Sequence, residues 1–121
     1  VKKEITHFDS DIDAFIGEGT LFEGTFAFTG VVRIDGMVKG EVRCDGTLIV
    51  GETGKIWATV ETRKGVIRGR IEGKIFATER LELKYPCVVE GNVTARDLIV
   101  ESGVIITGRV KSGQEVEPMD S

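Results

Sequence analysis

Five residues in the order apolar, any, small, any, apolar recur six times along this chain. They are Phe22–Phe26, Val38–Val42, Ile56–Val60, Ile71–Ile75, Val89–Val93 and Ile106–Val110, each centred on Gly or Ala. The central residues stand 16, 18, 15, 18 and 17 positions apart. A repeat at near-constant period decides the fold before anything else, because each repeat must bury its apolar side against the next. The spacing is that of strands, with side chains alternating at period 2, so both apolar ends and the small middle residue are expected on one inward face. A second short strand precedes each copy. Its apolar anchors are Ile16, Val32 with Ile34, Leu48 with Val50, Val66, Leu81 with Leu83, and Leu98 with Val100. After each copy the alternation reaches a third inward position, at Phe28, Cys44, Thr62, Ala77, Ala95 and Ser112. Five of these six are small and none is charged, which suits a tight interior.

Each repeat is therefore one coil with three short faces, and the chain is predicted to be an all-β, single-domain parallel β-helix of about six coils. Like strands stack as neighbours about 4.8 Å apart, giving a rod about 30 Å long. Parallel crossovers are nearly always right-handed. The left-handed alternative needs a strict six-residue step, which a coil length drifting from 15 to 18 does not allow. A right-handed helix is expected over residues 16–112, with a flexible N-terminal tail over 1–15 and a disordered acidic C-terminal tail over 113–121.

The coil pattern, the opening Glu18-Gly19-Thr20-Leu21-Phe22-Glu23-Gly24 and the segment Arg33-Ile34-Asp35-Gly36-Met37-Val38-Lys39-Gly40 resemble the bactofilins. The resemblance covers residues 16 to 112. It implies a right-handed β-helix with flexible tails that self-assembles end to end into non-polar filaments without nucleotide. It also implies a bacterial cytoskeletal scaffold, often membrane-linked, that organises cell-wall or division machinery. A short apolar or basic N-terminal tail is the implied route to the membrane, and here the chain begins Val1-Lys2-Lys3.

The totals narrow the alternatives. A net charge of −4 with pI near 5.1 argues against a nucleic-acid partner. Cys44 and Cys87 make no disulfide framework and read as small buried hydrophobes. No signal peptide or spanning segment is evident, so the chain is expected to be cytoplasmic, with membrane association only through its tail. Asp9, Asp11 and Asp13 resemble the start of a calcium loop, but Ala14 and Thr20 stand where Gly and Glu are required. Gly51-Glu52-Thr53-Gly54-Lys55 resembles a phosphate loop, yet it fails on spacing, is followed by Ile56 and precedes a strand. Gly and Pro residues at Asp35-Gly36, Asp45-Gly46, Glu52-Thr53-Gly54, Lys64-Gly65, Tyr85-Pro86 and Ser102-Gly103 mark corners.

Solenoid enzymes of the acyltransferase and zinc classes need His, and the single His7 lies in the tail. Glu72 and Glu90 share an outward slot in successive coils, with Lys74 near enough to offset them, and an open wall gives no desolvation to separate their pKa values. No catalytic, cofactor or metal residue is predicted. The interaction sites are instead the two rod ends. A solenoid end exposes unpaired backbone and core side chains unless a polar repeat or helix caps it, and neither tail has helical apolar spacing. Phe22, Phe26 and Phe28 at one end, and Leu98, Val104, Ile106 and Val110 at the other, are the predicted polymerisation contacts. Along the outer walls, mixed charges such as Glu23 beside Lys39 discourage sideways strand addition. One outward row, Gly17, Arg33, Ile49, Ile67, Glu82 and Ile99, carries three Ile that suit a lateral or partner contact. Trp57 and Phe76 are also expected outside. The alternative is a non-polymerising solenoid whose tails cap the ends and whose Ile49, Ile67, Ile99 wall binds another protein.

Overall fold

A computed structural model describes residues 13–113. The tail features at Val1–Lys3, His7, Asp9 and Asp11, and residues 114–121, lie outside that range. Seven strands follow one another: β1 (Ala14–Ile16), β2 (Leu21–Ile34), β3 (Met37–Val50), β4 (Lys55–Ile67), β5 (Arg70–Leu83), β6 (Val88–Val100) and β7 (Ile105–Ser112). Each pairs in parallel with the next, in the order β1 to β7. The result is the all-β solenoid of about six coils expected from the repeat. β1 begins at Ala14, two residues ahead of the expected boundary, and buries Ala14 and Ile16.

The register reproduces the repeat. Val38, Ile56, Ile71, Val89 and Ile106 stack in one column, and Val42, Val60, Ile75, Val93 and Val110 in another. Phe28, Cys44, Thr62, Ala77, Ala95 and Ser112 form a third. Within β2, residues 21–23 make the first wall, 25–29 the second and 31–34 the third; later strands repeat the division. The interior is one continuous cluster of these columns, with Val38, Ile56, Ile71 and Val89 all at 1% exposure or less.

At the five glycine copies the middle residue is a corner rather than an inward side chain, whereas Ala58 is buried in the core cluster. Gly24, Gly40, Gly73, Gly91 and Gly108 have φ between 124° and 137°, and all but the partly covered Gly91 are exposed. They form the bend between the first and second walls. A bend in-out-corner-out-in puts the two apolar ends on the same side just as a straight strand would, so the pattern alone does not tell them apart. Glycine is required there for two reasons: the φ is one that L side chains avoid, and a Cβ at Gly91 would overlap the carbonyl oxygen of Gly73. Ala58 holds the same column with no positive φ.

A second departure lies in β4. Its register shifts between Thr62 and Lys64, where the second bend is one residue shorter than in β3. The Thr62 hydroxyl donates to the Lys64 carbonyl at 2.8 Å and closes this tighter bend. Gly65 and Ile67 consequently fill the inward slots of Leu48 and Val50, and Val66 faces out. Gly65 is thus not a corner: a Cβ there would stand 2.9 Å from Leu81 Cδ1. Ile67, placed by sequence on the outer wall, is 0% exposed and cannot make a lateral contact. Phe76 is on the outward row with Glu61 and Thr94, yet it is 5% exposed and stands outside the core cluster.

Cys44 and Cys87 are buried thiols. Burial pushes the Cys87 thiol up to about 12. The unfolded chain would lose this proton near pH 9 while the folded chain keeps it. The stabilisation from a neutral Cys87 is therefore complete below pH 9 and is lost as pH rises toward 12, by ~1 kcal/mol per unit. Urea midpoints at pH 7 and pH 10.5 should differ, and Cys87→Ala should reduce that difference.

Candidate polymerisation interface

The two ends of the rod differ. At the C-terminal end, β7 pairs with β6 only along Val88–Ala95, and Asp97–Val100 have no strand above them among the described residues. The same columns that are sealed one coil below are open here. Val89 is 0% exposed while Ile106 above it is half-buried; Val93 is 1% exposed while Val110 above it is 46% exposed. Leu83 is 0% exposed and Val100, next in its column, 43%. Leu98 and Val104 are half-buried at the rim. Val104 holds the turn position of the fully buried Cys87, each turn closing through an N–H to carbonyl bond, Val104 to Glu101 and Cys87 to Lys84. Leu98, Val104, Ile106 and Val110 are thus brought together on one face, as the sequence placed them. Val100 extends that face, and the anchor alternation named it but not its exposure; Ile105 lies beside it on the outward row of Val88 and Arg70.

At the N-terminal end, β1 covers only the third wall of β2 through Ala14, Phe15 and Ile16. Asp13 ties this lid down: its N–H donates to the Val31 carbonyl at 2.7 Å and its carboxylate accepts from the Val31 N–H at 2.8 Å. That carboxylate thus holds the sheet edge. The first and second walls are plugged by aromatic rings. Phe22 meets Phe26 edge-on with centroids 3.5 Å apart, and Phe26 meets Phe28 at 5.1 Å. Phe26 is 3% exposed and packs into the core, so Phe22 and Phe28, with Leu21 at 41%, present the surface. Among the sequence-derived contact residues Phe26 is a buried plug, while Phe22 and Phe28 stay partly exposed at this end.

The outer walls carry salt bridges between exposed groups. Glu72 and Glu90 are stacked neighbours, and Arg70, rather than Lys74, offsets them: its guanidinium lies 3.4 Å from Glu72 and pairs with Glu90. Trp57 donates its indole N–H to Glu72, and Lys39 lies 5.3 Å from its ring. Such pairs add little stability at exposed positions. Their effect is to keep the walls wet. Among the described residues no three His, Cys, Asp or Glu side chains converge in a way that could hold a metal ion.

The fold of stacked parallel coils is also what comparison with known structures finds. A family model described as bactofilin, polymer-forming cytoskeletal, matches residues 14–111. The chain belongs to the bactofilin family. The curated bactofilin BacO of Myxococcus xanthus (strain DK1622) is 32% identical over 95 residues, covering 78% of this chain and 75% of that one. Bactofilin BacP of the same organism is 30% identical over 116 residues, 96% of this chain, which spans about half (48%) of BacP's length. The structure of the cytoskeletal bactofilin BacA, obtained by solid-state NMR, matches with a TM-score of 0.75 at 33% identity, over 84% of this chain and 96% of BacA. The Thermus thermophilus bactofilin, reconstructed by cryo-EM as double helical filaments, matches with a TM-score of 0.73 at 31% identity, over 82% of this chain and 98% of that one. This bactofilin is therefore a member of a polymer-forming cytoskeletal family. Among its described residues, no helix is long and apolar enough to cross a membrane.

Proposed function

We propose that this bactofilin assembles end to end through its terminal coils into non-polar filaments, without nucleotide or other cofactor. The observation that carries the reading is the open C-terminal face, where Val100, Ile106 and Val110 continue core columns that are sealed through the interior coils. Burying that face against another subunit removes apolar area from water and pairs the free strand edge. Independence from nucleotide is supported at the one glycine-rich turn that resembles a phosphate loop. There the Gly54 N–H is bonded to the Gly51 carbonyl at 2.9 Å and the Lys55 N–H to Gly36, so these amides are spent within the fold. A phosphate cradle needs them free. We assign the chain no catalytic activity. The bacterial filament would act in the cytoplasm as a scaffold for membrane or cell-wall and division machinery, with the N-terminal segment as the route to the membrane and with no nucleic-acid partner.

Purified chain, freed of nucleotide and metal, should sediment and show filaments by negative-stain electron microscopy. A compact monomer under every condition would overturn the reading in favour of a capped, protein-binding solenoid.

A further inference from the structure

Phe76 is the outlier of the outer walls. Its register sets it on the outward row of the second wall, between Glu61 on β4 and Thr94 on β6. It is nevertheless 5% exposed, and it stands outside the core cluster. Apolar side chains on the other outward rows, among them Leu21, Trp57, Ile49, Val66 and Ile99, are half-buried or exposed. The neighbours of Phe76 on its own wall, Lys74, Thr78 and Asn92, are exposed too. Side chains standing on one face of a sheet shield each other's flanks but not their outer surfaces. A further segment is needed to cover the ring. We propose that this segment is residues 114–121 of the same chain, folded back along the second wall as a strap over Phe76.

Charge selects this occupant. Lys74 on β5, Arg96 just past the second wall of β6, and Arg109 and Lys111 on β7 are exposed cations around and above Phe76. The salt bridges among the described residues leave all four out. The nearby acids are already engaged, Glu61 with Arg43 at 3.8 Å and Glu79 with Arg63 at 2.6 Å. Residues 114–121 carry the acids Glu115, Glu117 and Asp120, no base, and the apolar Val116 and Met119. Residues 1–12 instead mix Lys2 and Lys3 with Glu4, Asp9 and Asp11. Reach points the same way. Lys111 stands two rungs from Phe76 in one row, through Thr94, a separation of about 10 Å. Gly113, two residues on, donates its N–H to the Arg96 carbonyl at 2.9 Å and has a φ of 124°, the conformation of the corner glycines. Three extended residues span about 10 Å, which brings Val116 to the rung of Phe76 with Glu115 and Glu117 on either side. Residues 1–12 join the fold at β1, four strands from β5.

The competing course is to continue the coil onto the third wall. Ser112 is in register with Ala95, so an unbroken register would set Glu115 on Leu98 and Glu117 on Val100. Those two positions end core columns, and a subunit stacked over them would bury both carboxylates without a partner. Pro118 follows and has no N–H to give to a ladder. The strap avoids both costs. Each exposed ion pair contributes little by itself, so the hold comes from several pairs together with the cover of the Phe76 ring by Val116. Added salt should loosen it. A strap on the second wall also leaves the C-terminal face clear. The inference concerns a single subunit and stands or falls whether or not the chain polymerises.

Cross-linking tests the path. A full chain carrying Val116→Cys with Thr94→Cys is treated with a short bis-maleimide, and links within one chain are read by peptide mass spectrometry. The yield should be several-fold higher than for Val116→Cys with Ile99→Cys, the pair that a continued coil would bring together. The native thiols are buried and stay silent. Adding Glu115→Lys and Glu117→Lys to the first pair should lower its yield several-fold. The same reversal in the parent chain should uncover the ring and raise the fluorescence of an apolar dye, and Phe76→Ala should cancel that rise. An excess of the 116–99 link would overturn the proposal and set the segment over the end face. Equal low yields in the two pairs would overturn it as well. A higher yield from Ile5→Cys with Thr94→Cys than from the 116–94 pair would give the ring to residues 1–12 instead. A 116–94 link found only between chains, in a mixture of the single-cysteine variants, would overturn a strap within one subunit. Yield and dye signal unmoved by the charge reversal would also defeat it.

Discussion

Ile106→Arg should abolish sedimentable polymer while leaving the subunit folded. Ile106 is half-buried in the isolated chain, so an arginine there can turn its guanidinium to solvent at little cost. Once another subunit stacks on the C-terminal face, the same side chain is enclosed among Val104, Val110 and the facing core with no partner charge. An unpaired buried charge costs ~3 kcal/mol or more, which raises the critical concentration about a hundredfold. Electron microscopy and sedimentation across a concentration series read the loss, and circular dichroism should retain the strand signal. Filaments at the parent's critical concentration would remove the C-terminal face from the contact. The corresponding change one coil lower, at Val89, would destroy the fold, because that position is 0% exposed.

The second large effect separates two adjacent residues. Ile67→Arg should unfold the chain, whereas Val66→Arg should leave it folded whatever becomes of its lateral contacts. Ile67 is 0% exposed in the column of Ile34, Val50 and Leu83. Removing its side chain alone costs ~2–5 kcal/mol, and inserting a charge adds several more, which exceeds the stability of most small domains. Val66 points outward, where substitutions typically change stability by about 0.5 kcal/mol. Urea unfolding of the two variants decides it. A folded Ile67→Arg chain would mean that the register shift in β4 is absent.

That register shift is where the sequence was hardest to read. The coil repeat was legible because the apolar ends of the five-residue unit and the small third inward position recur in every coil, and those columns stack as the spacing required. The one-residue shortening at Thr62 left no apolar signature, since Val66 and Ile67 are both β-branched and either could be the inward residue. The side chain that reveals the bend is Thr62, whose hydroxyl bonds the Lys64 carbonyl two residues on, and a threonine in a strand-rich chain is unremarked. The bend at the glycine column was hidden for a different reason, as bent and straight strands share the same parity. At the ends, sequence named the residues of the C-terminal face but could not weigh their exposure. Phe26, apolar and terminal, looked the same as Phe22 until ring packing placed it beneath its neighbours.

The open face above β7 among the described residues ties folding to company. In the interior each strand has a neighbour on both sides, and among the described residues β7 has one on a single side only. Its coil holds fewer buried contacts than any other complete one, so local opening should begin there. A partner that stacks on this face supplies the absent neighbour and binds only the ordered coil, which makes thermal stability rise with protein concentration. In the proposed filament, growth would also complete the fold: the last layer of each subunit would gain its second neighbour when the next subunit arrives.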